Sequence, residues 1–367
     1  MIELKKQLEE ASLPRLPKKM DYKIGIIGAG FIVRNCHLVA YRSVGFNPVA
    51  LCDINLELAK EVGKIHSVES IYSDWKAMID NADIEILDIA LPPHLQLEVL
   101  EYAAKNKKIL GVLCQKPVAM SLKNAKKMAE ISNEAKLTVA VNSNMRYDQS
   151  IRALKYTLDN NIIGEPVIAS IDMRAIPDWQ GFLKDYNMLE LYAMGVHHID
   201  AFRYLFGNPE KITTICRRDP RTKFQHTDGI TQYTFHYSNG LIATSIDDVW
   251  AWPEEPCAKD NYIRWRVEGL KGIAKGDIGW HKREPEPAIS SMEVASKDYP
   301  NEWIKPKWNT KWFPDAFVGT MANLLCAIED CKEPEVSLVD NIMTLACIDA
   351  CYKSIKEERT VYLNEII

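Results

Sequence analysis

The sequence predicts an α/β protein with two domains. The N-terminal part is expected to form a doubly wound parallel sheet, and the C-terminal part an open, mainly antiparallel sheet with helices. Up to about residue 145, continuous apolar runs alternate with segments of helical periodicity, as in parallel strands joined by crossover helices. A glycine-rich turn follows the first of these runs. After residue 146, apolar and polar residues alternate between turn residues, which favours antiparallel strands.

The composition limits the possible functions. The chain has 367 residues, a net charge of −5 and 26% charged residues of both signs. We therefore expect no nucleic-acid partner, and no apolar run reaches the ~20 residues that span a bilayer. The nine cysteines lack paired CxxC spacing, so we predict no metal site and expect a reducing cytoplasm.

Residues 1–20 form an extension ahead of the first domain. Their sequence, MIELKKQLEEASLPRLPKKM, alternates charges and has no apolar stretch, so we do not interpret it as a secretory signal. It predicts a short amphipathic helix and a proline-containing linker, which either form an arm in an oligomer or are frayed.

The first domain is predicted to cover residues 21–145 and the second residues 146–367. Strands of the first domain are expected at residues 22–28, 48–53, 85–91, 108–114 and 137–143. In the second domain we expect a helix from residue 150 that ends at Gly164 and Pro166, and a long amphipathic helix over residues 338–358. Asn239-Gly240 lies between two alternating runs and predicts a hairpin with a type I′ turn.

The glycine turn is the first candidate binding element. Gly28 permits a tight turn after the first strand, and Gly30 lets the backbone approach a pyrophosphate at the positive end of the next helix. Residues 28–32, which include Phe31 and Ile32, are therefore predicted to bind a dinucleotide in a Rossmann domain. Val33 stands where the fingerprint has its third glycine, which weakens the match without removing the phosphate site.

Further cofactor contacts are expected where the next strands end. Asp53 can accept hydrogen bonds from the adenosine ribose and would repel a 2′-phosphate, which favours NAD over NADP; it could equally cap the following helix. Leu91 and Pro92 are predicted to border the nicotinamide. His94 and Gln96 either contact the cofactor or cap the next helix.

A lysine closes the fourth apolar run, in the sequence GVLCQKPVAM. Lys116 is either a solvated charge at the end of a strand, which is the ordinary case, or a catalytic group at the sheet edge where ligands bind. Pro117 restricts Gln115 and Lys116 to an extended conformation, which would hold the direction of the lysine. Gln115 and Lys116 are also candidates for cofactor contacts.

The segment MGVHHIDAFRYLFG predicts a helix with histidines on two faces. His197, Asp200 and Arg203 can share one face, so Asp200 either orients His197 or pairs with Arg203. His198 points about 100° away, which favours packing or an interface, and we also keep it among the candidate substrate contacts.

Eight of the nine tryptophans lie after residue 178. An aromatic face can stack on a sugar ring, although a tryptophan-rich core or subunit interface is the ordinary explanation. The further candidates for binding sugar hydroxyls or rings are Asn144, Arg146, Asp178 and Trp179. The tryptophans and the hairpin also favour a homo-oligomer, a dimer or larger.

Taken in order, these motifs resemble one family, the glucose–fructose oxidoreductase, inositol dehydrogenase and MocA-like (Gfo/Idh/MocA) oxidoreductases. The resemblance covers nearly all of residues 20–365 and rests on the segments GIIGAGFI, CD, ALPPHLQ, CQKP, NMRY, IGEP, MGVHHID and EGLKGIAKGD. It implies a Rossmann domain that binds NAD(H) or NADP(H), a C-terminal α/β domain, and sugars or polyols as substrates. The family lysine falls on Lys116 and the family histidine on His197. Two positions differ: Gln115 replaces the usual glutamate, and Ala193 stands where many polyol dehydrogenases of the family carry a catalytic aspartate.

The resemblance implies hydride transfer from a secondary alcohol to NAD. Lys116 would stabilise the developing alkoxide and His197, with an unperturbed pKa near ~6.5, would accept the proton. The finer resemblance is to gut-bacterial, DgpA-like glycoside 3-oxidoreductases, which oxidise the C3 hydroxyl of a glucoside, including a C-glycoside, to a 3-oxo-glycoside. The alternatives are a polyol or inositol dehydrogenase, a redox-assisted NAD-dependent glycosidase, and a non-catalytic protein that responds to NAD or sugar.

Overall fold

The computed structural model describes residues 2–174, 187–188, 190–222, 224–249, 261–279 and 289–367. The chain forms two compact units, and neither is one continuous stretch of sequence. The parallel-sheet unit comprises Pro14–Asn144 and Phe313–Ile342. The antiparallel-sheet unit comprises Met1–Leu13, Met145–Trp312 and Met343–Ile367.

The parallel-sheet unit is built on six parallel strands in the order β3-β2-β1-β4-β5-β6. The strands are β1 (Lys23–Ile27), β2 (Asn47–Cys52), β3 (Ser70–Tyr72), β4 (Ile86–Ile89), β5 (Gly111–Cys114) and β6 (Thr138–Val141). The strand order reverses between β1 and β4, which is the switch point at which such sheets bind ligands. The helices are α2 (Leu38–Val44), α3 (Leu56–His66), α4 (Trp75–Asn81), α5 (Pro93–Ala103), α6 (Leu122–Ala135) and α9 (Ala316–Asp330).

Helix α9 comes from the late part of the chain and packs on β5 and β6. A Cβ atom at Gly111 of β5 would lie only 2.7 Å from Cδ1 of Ile328 and 3.1 Å from Cδ1 of Leu324, so the glycine allows this close approach. Beyond α9, the Val141 N–H donates to the Val336 carbonyl at 2.8 Å. The sheet is therefore completed by residues far away in the sequence.

The antiparallel-sheet unit is built on nine strands in the order β14-β13-β12-β11-β7-β10-β9-β8-β15. Only β7 and β10 pair in parallel, and the other pairs are antiparallel. The strands are β7 (Pro166–Arg174), β8 (Lys211–Arg217), β9 (Ile230–His236), β10 (Ile242–Asp248), β11 (Tyr262–Gly269), β12 (Gly272–Asp277), β13 (Ser291–Ser296), β14 (Tyr299–Ile304) and β15 (Val361–Tyr362). Its helices are α1 (Ile2–Ala11), α7 (Gln149–Asp159) and α8 (Val196–Phe206), and α10 (Leu338–Glu357) starts in the other unit and ends here.

The predicted fold class is confirmed, and each of the five strands predicted for the first domain overlaps an observed one. The short edge strand β3 was missed. The N-terminal helix α1 is not frayed, because Leu4 and Leu8 are buried and the helix packs on α7, and its part in an oligomer stays a prediction. No helix among the described residues is long and apolar enough to cross a membrane.

Three local predictions were wrong. The hairpin β9–β10 exists, but only Gly240 has a positive φ (89°), whereas a type I′ turn requires one at Asn239 as well. Helix α7 ends at Asp159 rather than near Gly164, because Asn161 adopts a left-handed conformation (φ 55°). Helix α10 is not simply amphipathic, since residues 344–348 are all buried.

Candidate active site

The glycine turn has the geometry that a phosphate-binding turn requires. Gly28 has a φ of +101°, and a Cβ atom there would lie 2.5 Å from the Ala90 carbonyl oxygen, so only glycine fits between β1 and β4. A Cβ atom at Gly30 would meet nothing within 4 Å, which leaves this side of the turn open to a ligand. A helix begins at Phe31, which is exposed, and continues through Ile32. Its first amides can donate to an anion.

The third fingerprint position lies in a π-helical turn, Val33–His37, which we call the first π-turn. A π-turn takes up one more residue than an α-turn, so the residues after it face a different direction. Val33 is 1% exposed, so its side chain packs inside the unit where the fingerprint has glycine. The first π-turn ends at His37, which is fully buried.

Asp53 follows β2 and is tied to the glycine turn. One carboxylate oxygen accepts from the Ala29 N–H at 2.8 Å, and the other accepts from the Asn55 N–H at 2.8 Å. The N-cap of α3 is Asn55, whose side chain accepts from the Leu58 N–H, so the alternative of Asp53 as the helix cap is wrong. The fixed carboxylate beside an open glycine turn fits the adenosine ribose of NAD.

The residues after β4 have different surroundings. Leu91 and Pro92 are partly buried, and His94 is exposed at the start of α5. Gln96 is completely buried. Its amide nitrogen donates to the carbonyls of Gln115 (3.0 Å) and Pro117 (3.1 Å), and its oxygen accepts from the Gln115 N–H (2.8 Å). Gln96 therefore neither caps α5 nor faces outward, but holds the backbone on both sides of Lys116.

Lys116 lies directly beyond β5, at the same edge of the sheet as the glycine turn and Asp53. It keeps some accessible surface, yet burial of its charged group lowers its pKa from 10.5 to about 7. Its N–H donates to the side-chain oxygen of Gln115 at 3.1 Å. A lysine of this kind changes its charge near neutral pH, which an ordinary solvated lysine at a strand end does not do.

The side chain of Gln115 contacts a buried polar cluster that the sequence analysis did not identify; its members are His37, Asp88 and Asn142. His37 contacts Asp88 of β4 at 2.6 Å through Nδ1, and the amides of Gln115 and Asn142 at 3.2 Å through Nε2. The only sequence signal was Asp88, a charged residue inside the apolar run EILDIAL.

In the antiparallel-sheet unit, His197 lies near the start of α8 and is 3% exposed. Its ring meets the buried ring of Trp312 edge to face, with the centroids 5.1 Å apart. His198 is fully buried, and its Nδ1 lies 2.9 Å from Asp247 and 3.3 Å from the Ser245 hydroxyl. Its contact with substrate stays a prediction.

Asp200 has a partner that the sequence did not suggest. Arg146 donates to both its carboxylate oxygens, at 2.6 and 2.7 Å, and both side chains are buried. The Thr344 hydroxyl donates to Asp200 at 3.0 Å and accepts from Arg203 at 2.7 Å. Asn144, two residues before Arg146 in the sequence, is 1% exposed. The predicted sugar contacts of Asn144 and Arg146 stay predictions.

A second π-turn, Leu191–Gly195, precedes α8 and contains Ala193. A Cβ atom at Gly195 would lie 3.0 Å from both carboxylate oxygens of Glu190, so this glycine leaves room for the acid. Glu190 is completely buried, and burial together with the nearby Asp247 and Asp228 raises its pKa well above 4.5. The sequence analysis missed this acid, which lies before the position where the resemblance implies an aspartate.

Two predicted substrate contacts, Asp178 and Trp179, lie outside the described residues. Among the described tryptophans, Trp265 and Trp312 are buried, as in a tryptophan-rich core, whereas Trp303 is exposed. The Nε1–H of Trp265 donates to the Ser150 hydroxyl at 3.0 Å. Within the described part of the chain, no group of three or more histidine, cysteine or acidic side chains could hold a metal ion.

Two family models match the chain. The model of the oxidoreductase family with an NAD-binding Rossmann fold matches residues 22–143, and the model of the C-terminal α/β domain of the same family matches residues 155–363. The parallel-sheet unit therefore contains an NAD-binding Rossmann domain.

Characterised relatives cover nearly the whole chain. A D-apiose dehydrogenase from Paraburkholderia graminis is 26% identical over 94% of this chain and 90% of its own length. An inositol 2-dehydrogenase from Pseudomonas fluorescens is 29% identical over 94% of this chain and 97% of its own. The fold is also similar to that of a solved oxidoreductase from Agrobacterium radiobacter in complex with NAD⁺, L-tartaric acid and magnesium, with a TM-score of 0.79, 23% identity and coverage of 94% and 99%.

Proposed function

The chain belongs to the Gfo/Idh/MocA oxidoreductase family and is an NAD-dependent oxidoreductase, and from this premise we propose that it oxidises a secondary hydroxyl of a sugar or glycoside to a ketone. One observation carries the proposal. Lys116 lies at the carboxyl edge of the sheet, where NAD binds. The buried amide of Gln96 holds the backbone on both sides of it, and burial of the Lys116 ammonium lowers its pKa to about 7. A structural lysine at a strand end needs neither feature.

Residues at this edge would hold the cofactor. The open turn at Gly28 and Gly30 and the first amides from Phe31 suit the pyrophosphate, and Asp53 suits the ribose hydroxyls. Leu91, Pro92 and Gln115 would border the nicotinamide. NAD supplies a ring that accepts the hydride of the alcohol carbon.

Lys116 and His197 have different roles in the proposed reaction. As the C–H bond breaks, negative charge builds up on the hydroxyl oxygen, and the Lys116 ammonium donates a hydrogen bond to it. His197 takes the hydroxyl proton, directly or through water, because Ala193 brings no carboxylate. The alcohol loses one hydride and one proton, and the products are a ketone, NADH and a proton.

For the substrate, we propose the C3 hydroxyl of a glucoside, with C-glycosides included, and a 3-oxo-glycoside as the product. Ala193, in place of the aspartate of many polyol dehydrogenases, supports this choice. The apiose and inositol dehydrogenases among the relatives favour a polyol dehydrogenase as the second candidate.

A substrate panel separates these candidates. Purified protein with NAD is incubated with O-glucosides, C-glucosides, apiose and myo-inositol, and NADH formation and product masses are recorded. We expect a product that lacks two hydrogens and keeps its aglycone. Release of free aglycone would support the redox-assisted glycosidase instead, and oxidation of myo-inositol alone would support the polyol dehydrogenase.

Two variants test the assigned roles. Lys116→Met should lower kcat by ~10²–10⁴-fold, the usual scale for one electrostatic or acid–base group, while NAD still binds. His197→Ala should abolish the rise of the rate with pH between about 6 and 7 that an imidazole base gives, while the fall that follows loss of the Lys116 proton remains. Lys126→Met, at an exposed lysine of α6, serves as the control. Parental turnover in Lys116→Met or His197→Ala would remove that residue from the mechanism.

A further inference from the structure

Only one arrangement of protons satisfies the hydrogen bonds in the buried cluster that contacts Gln115. Asp88 is 1% exposed and accepts from the Tyr41 hydroxyl at 2.7 Å, so the His37 nitrogen 2.6 Å away must donate to it. His37 therefore carries a proton on Nδ1. The Nε2 atom faces two amide nitrogens, those of Gln115 and Asn142, each at 3.2 Å. It must accept from them, which requires a neutral imidazole.

The orientation of both amides is fixed by hydrogen bonds to their oxygen atoms. The Gln115 oxygen accepts from the Lys116 N–H at 3.1 Å, so its nitrogen has to face His37. The Asn142 oxygen accepts from the Thr320 hydroxyl at 2.8 Å, so its nitrogen faces the same way. The ring of Phe317 covers the imidazole, with the centroids 5.0 Å apart. The titratable groups that face His37 are therefore Asp88 and Tyr41.

We propose that His37 is a positioning residue for the oxidation assigned above: its neutral imidazole, held by Asp88, fixes the Gln115 amide and through it the direction of Lys116. This inference rests on the proposed function for its kinetic consequence. The chain of contacts runs from Asp88 through His37 and Gln115 to the backbone of Lys116. His37 touches neither substrate nor cofactor in this assignment.

The same arrangement explains the amide at position 115. A carboxylate there would bring an oxygen against the lone pair of Nε2, with no hydrogen between them. Glutamate would fit only if His37 took up a second proton, and the imidazolium would then lie between two carboxylates. Gln115 and a neutral His37 are thus a matched pair.

Two substitutions at His37 separate positioning from stability. In His37→Gln, the side-chain oxygen lies near the place of Nε2 and can still accept from the two amides. In His37→Asn, the amide lies near the place of Nδ1 and keeps only the bond to Asp88. We expect both to unfold at lower temperature, but only His37→Asn to lose ~10–100-fold in kcat, with NAD affinity nearly unchanged. Tyr102→Phe, which removes a hydrogen bond to Asp80 at the surface of the same unit, should keep the parental kcat. Equal kcat in the two His37 variants would overturn the proposal.

The pH profile gives a second kinetic test. In Gln115→Glu, the carboxylate is held in place only while His37 carries a second proton. The kcat of this variant should therefore fall as the pH rises and that proton is lost, and the parent should show no such transition. A profile parallel to that of the parent would contradict the matched pair.

Two measurements need no substrate, so they remain decisive even if no sugar is oxidised. In protein with ¹⁵N-labelled histidine, the NMR shifts should show His37 neutral with hydrogen on Nδ1 at neutral pH; an imidazolium, or hydrogen on Nε2, would overturn the inference. The pH dependence of Lys116 acylation, read by mass spectrometry, should move to higher pH in His37→Asn and not in His37→Gln. Inactivity of the parent on every substrate would defeat the proposed function alone.

Discussion

At the scale of single residues, the two charged side chains that we propose to act in the parallel-sheet unit are held in opposite ways. Asp53 is partly exposed, and backbone N–H groups donate to both its oxygens, so the direction of its carboxylate is fixed. Lys116 is held through its backbone, while burial of its ammonium lowers its pKa to about 7. The first arrangement suits a residue that recognises a neutral ribose, and the second suits a residue that handles charge during a reaction.

The lowered pKa of Lys116 predicts a dependence of stability on pH. Below about pH 7 the lysine is charged in both the folded and the unfolded chain, and the folded state bears the full cost of burying that charge. Between about 7 and 10.5 only the unfolded chain holds the proton, so stability rises with pH over this window. Lys116→Met removes the cost and should raise the free energy of unfolding by ~1–3 kcal/mol near pH 7. Denaturant titrations should show this gain shrinking towards pH 10, and a constant gain would contradict the burial of the charge.

Asp53 predicts the preference between cofactors. Asp53→Ala should weaken NAD binding by ~10–100-fold, the loss expected for hydrogen bonds to a charged group, and reduce the discrimination against NADP. Calorimetric titration of both cofactors against parent and variant measures both effects. Tighter binding of NADP than of NAD by the parent would show that the charge of Asp53 does not select the cofactor.

At the scale of elements, two π-turns set the direction of the histidines at or just after their C-terminal ends. The first π-turn ends at His37, and the second ends two residues before His197. An extra residue in one turn rotates everything after it by about 100°. Both histidines are buried among specific partners, so the position of each π-turn decides which side chains they meet.

The three hydrogen bonds of Gln96 form a clamp between α5 and the segment after β5. Its loss should affect stability and turnover but not NAD binding. Gln96→Leu removes three buried hydrogen bonds and should lower the free energy of unfolding by ~2–4 kcal/mol and lower kcat, while NAD binding largely survives. Gln96→Glu keeps the acceptor for the Gln115 N–H but turns a carboxylate towards two carbonyls. Its kcat should therefore recover as the pH falls and the acid takes up a proton. Thermal unfolding and pH–rate profiles of the two variants test this, and parental kcat in Gln96→Leu would show that the clamp is not needed for turnover.

These elements also show what the sequence can and cannot predict. Apolar runs between turn residues located β1, β2, β4, β5 and β6, because burial on both faces is visible in composition. The tight turn at Gly28 and the position of Asp53 at the end of β2 could be predicted because both depend on local spacing. The π-turns were missed because an inserted residue leaves the helical pattern almost unchanged. The contacts of Gln96, His37 and Arg146 were missed because each depends on a partner that only the folded chain brings near.

At the scale of the whole molecule, the large sheet presents an apolar surface. Ile168 of β7 pairs with Ile242 of β10, and both are exposed. Ile246 and Ile215 are exposed on the same face, connected through Gln232 in the strand register. Exposed apolar patches of this kind mark association surfaces, so we expect the sheet to form a subunit contact in a dimer or larger even-numbered oligomer.

The oligomer is tested by substitution on this face. Ile242→Glu should place a charge in the contact and halve the mass of a dimer, as measured by light scattering at micromolar concentration. Ile65→Glu, at an exposed isoleucine of α3 in the other unit, should leave the mass unchanged. A parent that is monomeric under these conditions would exclude the contact.

The late arrival of α9 has a consequence for protein synthesis. The first strands of the NAD-binding sheet leave the ribosome early, but the helix that packs on β5 and β6 emerges only after all of Met145–Trp312 has been made. At ~5–20 residues per second this delay lasts roughly ten to thirty seconds. During that time the apolar face at Gly111 lacks the helix that covers it, so we expect the nascent chain to expose an aggregation-prone surface. A message cut short after the first domain would therefore yield an aggregation-prone fragment instead of a small NAD-binding protein.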